Sequence, residues 1–203
     1  MTGLQVGRDT GRTATHVPGQ PDMWAFVLFE TLIFTGYFSV YLLQRTGAPQ
    51  AFLHAQAQLD PLIGVFNTIV LLLSSWSVAR CVQSARAGAY GSAHRDALLT
   101  VLFGVVFAVS KVSEWIGQLG RGNGIAGNEF FTFYFALTGI HFVHYVVGMI
   151  LLGVLAKGPS RFGPPDEARA HHLKWLEGGS LYWHMVDLLW IFIFSLLYLI
   201  GAR

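Results

Sequence analysis

Ionisable side chains inside apolar runs are the residues of this sequence that could do chemistry. His184 and Asp187 lie three residues apart in the apolar run 181–200, which places them on one face of a helix, roughly 60° apart around its axis. An acid at bilayer depth costs on the order of 2.5–3.5 kcal/mol on insertion scales. Asp187 is therefore expected to face protein and to pair with His184. The alternative is that Asp187 lies near a membrane face and tethers a structural histidine.

Polar pairs three residues apart recur in two other apolar runs. Lys111 and Glu114 form one pair and His141 and His144 form another, whereas Glu30 has no charged neighbour in its own run. Lys111 and Glu114 can neutralise each other as an ion pair. Glu30 is either a proton-related group or a protonated acid bonded to a neighbouring helix, and the two histidines favour hydrogen bonds between helices. Because lipid offers these groups no partner, we expect their faces to point into a helical bundle.

Three histidines inside the runs raise the question of haem or metal binding. His141, His144 and His184 could supply a bis-histidine haem from facing helices, but three histidines do not make the two pairs that a two-haem electron wire needs. The single cysteine, Cys81, excludes an intrachain disulfide and a cysteine-rich metal site. The sequence therefore predicts no metal site, no bound redox cofactor and no catalytic residue in this chain.

The composition indicates an integral membrane protein. Of the 203 residues 53% are hydrophobic and only 12% are charged, against about 25% charged in an average soluble chain. The mean hydropathy is +0.50. A formal net charge of +2 without a basic run argues against a nucleic-acid partner. The polar residues 1–22 lack the apolar core of a secretory signal and are predicted to form a disordered cytoplasmic tail.

Five apolar runs have the length of a transmembrane helix, about 20 residues. They cover residues 23–44, 61–82, 97–119, 130–156 and 181–200, separated by polar connections at 45–60, 83–96, 120–129 and 157–180. Asp60 is a candidate N-cap before Pro61, and Gly139, Gly148 and Gly153 would permit close helix packing. The sequence therefore predicts an all-α integral membrane protein, with residues 23–203 forming a single five-transmembrane-helix bundle.

The loop charges predict the orientation of this bundle. One side carries nine basic residues, namely Arg8, Arg12, Arg80, Arg86, Arg95, Lys157, Arg161, Arg169 and Lys174. The other side carries Arg45, Arg121 and Arg203. Because positively charged loops stay in the cytoplasm, the N-terminus is expected in the cytoplasm and the C-terminus in the periplasm of a bacterial inner membrane.

Three motifs, together with the pair Glu114-Trp115, resemble the subunit III family of haem-copper oxidases. Residues 29–38 (Phe-Glu-Thr-Leu-Ile-Phe-Thr-Gly-Tyr-Phe) are similar to its helix with an acid followed by aromatic residues and glycine. Residues 138–144 match its Thr-Gly-x-His-x-x-His pattern, and Glu114-Trp115 its mid-membrane acid. The most specific motif is the Tyr182-Trp183-His184-x-Val-Asp187-x-x-Trp190 signature, preceded by Glu177. The resemblance covers residues 23–200.

Finer details resemble the NorE-like branch, which is associated with nitric oxide reductase. These details are Asn67, the Leu-Leu-Leu-Ser-Ser-Trp run at 71–76, Lys111 three residues before Glu114, the aromatic run 130–135 and Trp183-His184-Met185. Lys111 departs from many oxidase members, which carry a neutral residue there.

The resemblance implies an accessory subunit without redox cofactors, bound to a catalytic subunit that holds haem and metal. That partner would be a cytochrome c oxidase or a nitric oxide reductase, and this chain would support its assembly, its stability and its proton uptake. Seven-helix members have two further N-terminal helices that form a lipid cleft. This sequence is expected to correspond to the five-helix part, with phospholipid at the interface instead.

Two other functions compete with this one. A small proton or ion transporter could use Glu30, Glu114 and Asp187, although such transporters often show internal repeats and broken helices, which this sequence lacks. A haem-bearing membrane anchor would use the three histidines.

Overall fold

Helices and short turns make up the part of the chain that the computed structural model describes, residues 21–125, 127–157 and 165–201. The helices are α1 (Pro21–Gly47), α2 (Pro49–Gln56), α3 (Pro61–Arg86), α4 (Tyr90–Gly120), α5 (Glu129–Leu155) and α6 (Pro165–Phe194), which continues into a π-helical turn, Ser195–Leu199. All but α2 are long and apolar enough to cross a membrane. The predicted all-α, five-span architecture is confirmed. Residues 1–20 of the predicted tail lie outside the described residues, and the last two belong to α1.

The helices extend beyond the predicted spans. α4 begins at Tyr90 and α6 at Pro165, and the connection predicted at 45–60 contains α2. Hydropathy marks only the part of a helix that needs an apolar environment, whereas helix ends are set by capping and helix propensity. Where the sequence carried a capping signal, the prediction is confirmed: the Asp60 side chain accepts a hydrogen bond from the Leu62 amide at 2.9 Å.

α6 lies at the centre of the bundle. In its most apolar stretch 67% of the residues are buried, against 11% in α1. It packs against α1, α3 and α5, while α3 and α4 form the most extensive antiparallel pair. Trp183 and Trp190 of α6 are both fully buried. The most aromatic motif of the sequence therefore forms the core, and α1 lies at the edge of the bundle.

Two glycines let neighbouring helices approach α6. A Cβ added at Gly148 of α5 would lie 2.8 Å from Cε3 of Trp183, and one added at Gly64 of α3 would lie 2.7 Å from Cδ2 of Phe194. Gly139 and Gly153 have no such neighbour within 4 Å. Of the three α5 glycines predicted to permit close packing, only Gly148 is used for it within the described residues.

The two ends of the bundle are tied differently. We call the end at which α1, α4 and α6 begin and α3 and α5 end the basic end. There Arg86 Nε donates to Glu177 Oε1 at 2.9 Å and joins α3 to α6. At the opposite end Arg45 donates to Gln56 at 2.9 Å and also to the Ile200 carbonyl, which joins α1 to α2 and to the end of the π-helical turn.

Candidate functional site: three polar clusters between the helices

Lys111 and Glu114 contact each other at the centre of the first cluster. Both lie on α4, and Lys111 Nζ donates to Glu114 Oε2 at 2.9 Å. The same ammonium donates to the hydroxyl of Tyr134 on α5 at 3.1 Å and to that of Tyr198 in the π-helical turn at 3.0 Å. An ammonium has three protons to donate, so every donor of Lys111 is used.

The carboxylate of this cluster also has a partner at each of its oxygens. The Tyr198 hydroxyl donates to Glu114 Oε1 at 2.6 Å, so both carboxylate oxygens accept hydrogen bonds. Lys111 is 1% exposed, and its Nζ lies 4.6 Å from the centre of the Tyr134 ring. A buried ion pair is favourable when further hydrogen bonds satisfy both charges. The arrangement therefore acts as a tie between α4, α5 and the end of α6.

Glu30 and His144 form the second cluster, between α1 and α5. His144 Nδ1 lies 2.9 Å from the Ile140 carbonyl oxygen and Nε2 lies 3.1 Å from Glu30 Oε2. A carbonyl only accepts hydrogen bonds, so Nδ1 carries a proton. The contact between Nε2 and Oε2 then needs one further proton, held by the imidazole or by the carboxyl group. The pair is electrically neutral in either arrangement, which suits a partly buried contact between two spanning helices.

His184 belongs to a third cluster, with serine hydroxyls as its partners. Its Nδ1 lies 2.6 Å from Ser75 Oγ on α3, and its Nε2 lies 3.3 Å from Ser180 Oγ on its own helix. The predicted pairing of His184 with Asp187 is not found. Asp187 is 4% exposed, and neither carboxylate oxygen has a hydrogen-bond partner among the described residues. Ser75 also faces Asp187, but its short hydrogen bond is the one to His184.

His141 belongs to none of the three clusters. It is 1% exposed and, within the described ranges, neither ring nitrogen has a hydrogen-bond partner. Its ring packs 5.4 Å from that of Trp190 and 6.0 Å from that of Phe107. The prediction of a hydrogen bond between helices is therefore wrong for His141, because aromatic rings surround it. For His144 such a bond is present, to Glu30.

The motif aromatics of α6 bind its neighbours through their polar atoms. The Tyr182 hydroxyl donates to the His144 carbonyl at 3.0 Å, Trp183 Nε1 donates to Ser74 Oγ at 3.1 Å, and Trp190 Nε1 donates to Thr68 Oγ1 at 3.1 Å. The polar tips of these three aromatic side chains thus tie α6 to α3 or α5.

Sequence reasoning missed the hydroxyl partners of these groups. They are Thr68, Ser74 and Ser75 on α3, Tyr134 on α5 and Tyr198 in the π-helical turn. A usable signal existed, because an indole N–H or a charge in an apolar run needs an acceptor or donor from another run.

Hydrogen bonds occupy the ring nitrogens of two of the three histidines in the apolar runs. Both ring nitrogens of His144 and of His184 are engaged in hydrogen bonds. Over the described ranges no group of three or more His, Cys, Asp or Glu side chains is placed to hold a metal ion. Nor does any hydrogen bond among those residues join one of the three clusters to the next.

Comparison with known proteins decides the family. Residues 16–202 match the family described as cytochrome c oxidase subunit III. The chain is 27% identical to cytochrome c oxidase subunit 3 of Thermostichus vulcanus, with 98% of each chain covered. It is 30% identical to the protein of the same name from Synechocystis sp., covering 92% of this chain and 83% of the relative. The chain belongs to the cytochrome c oxidase subunit III family.

Subunit III relatives include proteins named for a different electron donor. Quinol oxidase subunit 3 of Bacillus subtilis is 26% identical over 179 residues, covering 88% of this chain and 85% of the relative. The resemblance drawn from three sequence motifs is thus confirmed at the level of the subunit III family, and its multi-pass membrane character with it.

Proposed function

We propose that this chain is a non-catalytic accessory subunit III of a haem-copper-type respiratory complex. The observation that carries the proposal is the family match over residues 16–202, nearly the whole chain. Haem and metal belong to the catalytic partner, and this subunit supports the assembly, stability and proton uptake of that partner in electron transport.

The use of the polar residues supports an accessory role. The ion pair of Lys111 and Glu114 makes further hydrogen bonds to Tyr134 and Tyr198 inside the bundle. Trp183 and Trp190 donate their indole N–H groups to hydroxyl groups on α3. These contacts hold the helices of the bundle together. Most of the apolar surface of α1 is uncovered, and such a surface is available to lipid and to a large membrane partner.

Other residues bear on whether the catalytic partner is an oxidase or a nitric oxide reductase. The relatives named above are oxidase subunits, whereas Asn67, Lys111 and the aromatic run 130–135 resemble the NorE-like branch. We infer a catalytic partner that is either a haem-copper oxidase or a nitric oxide reductase, and the protein that co-purifies with this subunit decides between them.

A pull-down with the partner tests the whole proposal. A tag on this chain, expressed in its own host and extracted in mild detergent, should retain a large haem-containing subunit in fixed stoichiometry. The chain purified alone should show no Soret absorbance. A stoichiometric Soret band in the isolated chain would establish the haem-bearing anchor instead, and proton uptake by the isolated chain in liposomes would establish the transporter.

The proposed location is the bacterial cytoplasmic membrane, with the basic end in the cytoplasm and phospholipid at the interface with the partner. The support is the excess of Lys and Arg on that side. Alkaline phosphatase fused after Arg203 should be active in the periplasm, and the same enzyme fused at the connection after Arg86 should be inactive. The reverse pattern would refute this orientation.

A further inference from the structure

Asn123 lies in the connection between α4 and α5, at the end of the bundle opposite the basic end, and Gly124 follows it. Its side-chain nitrogen Nδ2 donates to Gln58 Oε1 at 2.8 Å and to Gln118 Oε1 at 2.9 Å. Gln58 belongs to the turn between α2 and α3, and Gln118 belongs to the last turn of α4. We call these two hydrogen bonds the Asn123 tie, because they join the two connections at this end.

The contacts around the Asn123 tie require a hydrogen-bond donor at residue 123. Gln118 Nε2 donates to the backbone carbonyl of Gln58 at 3.1 Å. A carbonyl only accepts hydrogen bonds, so the Gln118 amide keeps this bond only while its Oε1 faces Asn123. The NH2 group of Asn123 supplies the donor, whereas a carboxylate, which only accepts, would not.

The dipeptide Asn123-Gly124 has the chemistry of a labile asparagine. The backbone nitrogen of the residue after an asparagine can attack the side-chain Cγ, and a side chain on that residue hinders the attack. Gly124 has no side chain, and a Cβ placed there would meet nothing within 4 Å among the described residues. Both residues are partly exposed and lie outside the helices, where the backbone is more mobile than in a helix. The attack on Asn123 is therefore unobstructed.

The other two asparagines of the chain lack these features. Asn67 is buried in α3 and is followed by the branched Thr68. Asn128 is followed by Glu129, and its side chain is held as the N-cap of α5, where it accepts from the Phe131 amide at 2.9 Å. Asn67 and Asn128 therefore serve as internal controls.

We propose that Asn123 is a site of spontaneous deamidation and that the reaction breaks the Asn123 tie. The Gly124 nitrogen loses its proton and bonds to Cγ of Asn123, the bond between Cγ and Nδ2 breaks, and ammonia leaves. Water then opens the resulting succinimide at either of its carbonyls, so residue 123 becomes aspartate or isoaspartate. The net reaction consumes water and releases ammonia, and it needs neither an oxidant nor a metal.

The product places a carboxylate against the side-chain oxygens of Gln58 and Gln118. Both oxygens are acceptors in the Asn123 tie, so both hydrogen bonds are lost. Gln118 and Arg121 also line a cavity of about 330 Å³, together with the buried Glu114. Deamidation therefore loosens the wall of this cavity and frees the connection between α4 and α5 from the turn between α2 and α3.

Peptide mass spectrometry of the full-length protein in detergent tests the reaction. The protein is incubated at neutral and at alkaline pH and then digested with pepsin at acidic pH, where the reaction is slow. The peptide that contains Asn123 should gain the mass that corresponds to replacement of NH2 by OH. The gain should be faster at alkaline pH, because the attacking nitrogen must lose its proton. The peptides that contain Asn67 and Asn128 should stay unchanged.

Two substitutions test the geometry of the site. Gly124→Ala places a methyl group beside the attacking nitrogen, in open space, and should suppress the mass change. Gln58→Ala removes one acceptor of the Asn123 tie and keeps the backbone carbonyl that Gln118 contacts. Because one hydrogen bond shifts an equilibrium between closed and open forms by about twofold to tenfold, Gln58→Ala should accelerate the reaction by about that factor.

Hydrogen exchange tests the consequence. Asn123→Asp reproduces the product and should speed exchange of the backbone amides at 121–125. Asn128→Asp is the matched control, since it adds the same charge to the same connection and aspartate is an equally good N-cap; exchange at 121–125 should then stay as in the unmodified chain. An unchanged Asn123 peptide after alkaline incubation would overturn the proposal, as would equal rates in the unmodified chain and Gly124→Ala or Gln58→Ala. Equal exchange in Asn123→Asp and Asn128→Asp would show that deamidation does not break the Asn123 tie.

Discussion

His144 on α5 and Glu30 on α1 share a single proton across 3.1 Å, because the other ring nitrogen of His144 is committed to the Ile140 carbonyl. α1 is the most exposed of the spanning helices, and this contact is a polar bond that fastens its middle to the bundle. Glu30 on α1 therefore has a hydrogen-bond partner because the rotation of α5 about its own axis turns His144 toward α1.

Replacing Glu30 by glutamine should preserve this bond, since the Gln amide can donate to Nε2 of a neutral His144. Glu30→Ala removes the partner and leaves a largely buried nitrogen unpaired, which costs about 1–3 kcal/mol. Thermal unfolding in detergent should therefore show Glu30→Ala clearly less stable than Glu30→Gln. If the two variants unfold at the same temperature, the bond does not hold α1. The double variant Glu30→Ala, His144→Ala is the control. In the Glu30→Ala background, His144→Ala should lower the stability by less than it does in the unmodified chain.

Removing Lys111 should destabilise the bundle strongly. Lys111→Met leaves the buried carboxylate of Glu114 without its cation, and breaking a buried pair in this way costs about 3–5 kcal/mol. Replacing both residues, with Lys111→Met and Glu114→Leu, should cost less than the lysine change alone because no uncompensated charge remains. The measurement is the denaturation midpoint in detergent.

A matched surface change controls for general damage to α4. The Ser113 hydroxyl is exposed and bonds the Val109 carbonyl of its own helix, so Ser113→Ala should change stability by no more than about 0.5 kcal/mol. A double variant less stable than Lys111→Met would show that Glu114 is stabilised by Tyr198 and its surroundings rather than by the lysine.

The polar pairs show which side-chain contacts can be predicted from sequence spacing alone. Lys111 and Glu114 are long side chains that bend toward each other along one helix, and spacing alone indicated their contact. The shorter side chain of Asp187 stays about 60° around the axis from His184, so a serine on α3 reaches the histidine first. Which neighbouring helix faces a given side chain depends on helix rotation and packing, which a single sequence does not contain.

The helix ends likewise show that spans can be predicted from the sequence, whereas the exact helix boundaries depend on tertiary contacts. Five spans were predictable because an apolar run of about 20 residues matches the thickness of the hydrocarbon core of a bilayer. The start of α6 at Pro165 was not, since residues 165–180 are polar and their helix is stabilised by contacts such as Glu177 with Arg86. Tertiary contacts of this sort override hydropathy at helix ends.

Assembly with the catalytic partner should depend on Ser75 as much as on His184. The two side chains share one hydrogen bond between α3 and α6, so Ser75→Ala and His184→Ala should lower the yield of complex to a similar degree. The double variant should be little worse than His184→Ala alone. The measurement is the ratio of catalytic subunit to tagged chain after purification.

The substitution Asp187→Asn tests whether the acid contributes to the hydrogen bond between Ser75 and His184. Because the Asp187 oxygens have no hydrogen-bond partner in the described part of the chain, the substitution should leave the yield of complex unchanged while Ser75→Ala lowers it. A loss with Asp187→Asn that matches the loss with Ser75→Ala would show that the acid, rather than the serine, orients His184.

Two glycines of α5 offer the sharpest test of the central packing. Gly148→Ala places a methyl group 2.8 Å from the Trp183 ring, which is buried and bonded to Ser74 and therefore unable to move aside. Overpacking of this kind costs about 1–3 kcal/mol. Gly139→Ala meets nothing within 4 Å and gains helix propensity of about 0.5–1 kcal/mol. Thermal unfolding in detergent should therefore rank Gly139→Ala at or above the unmodified chain and Gly148→Ala well below it. If the two variants were equally stable, α6 could not pack against α5 through Trp183 as the structure has it.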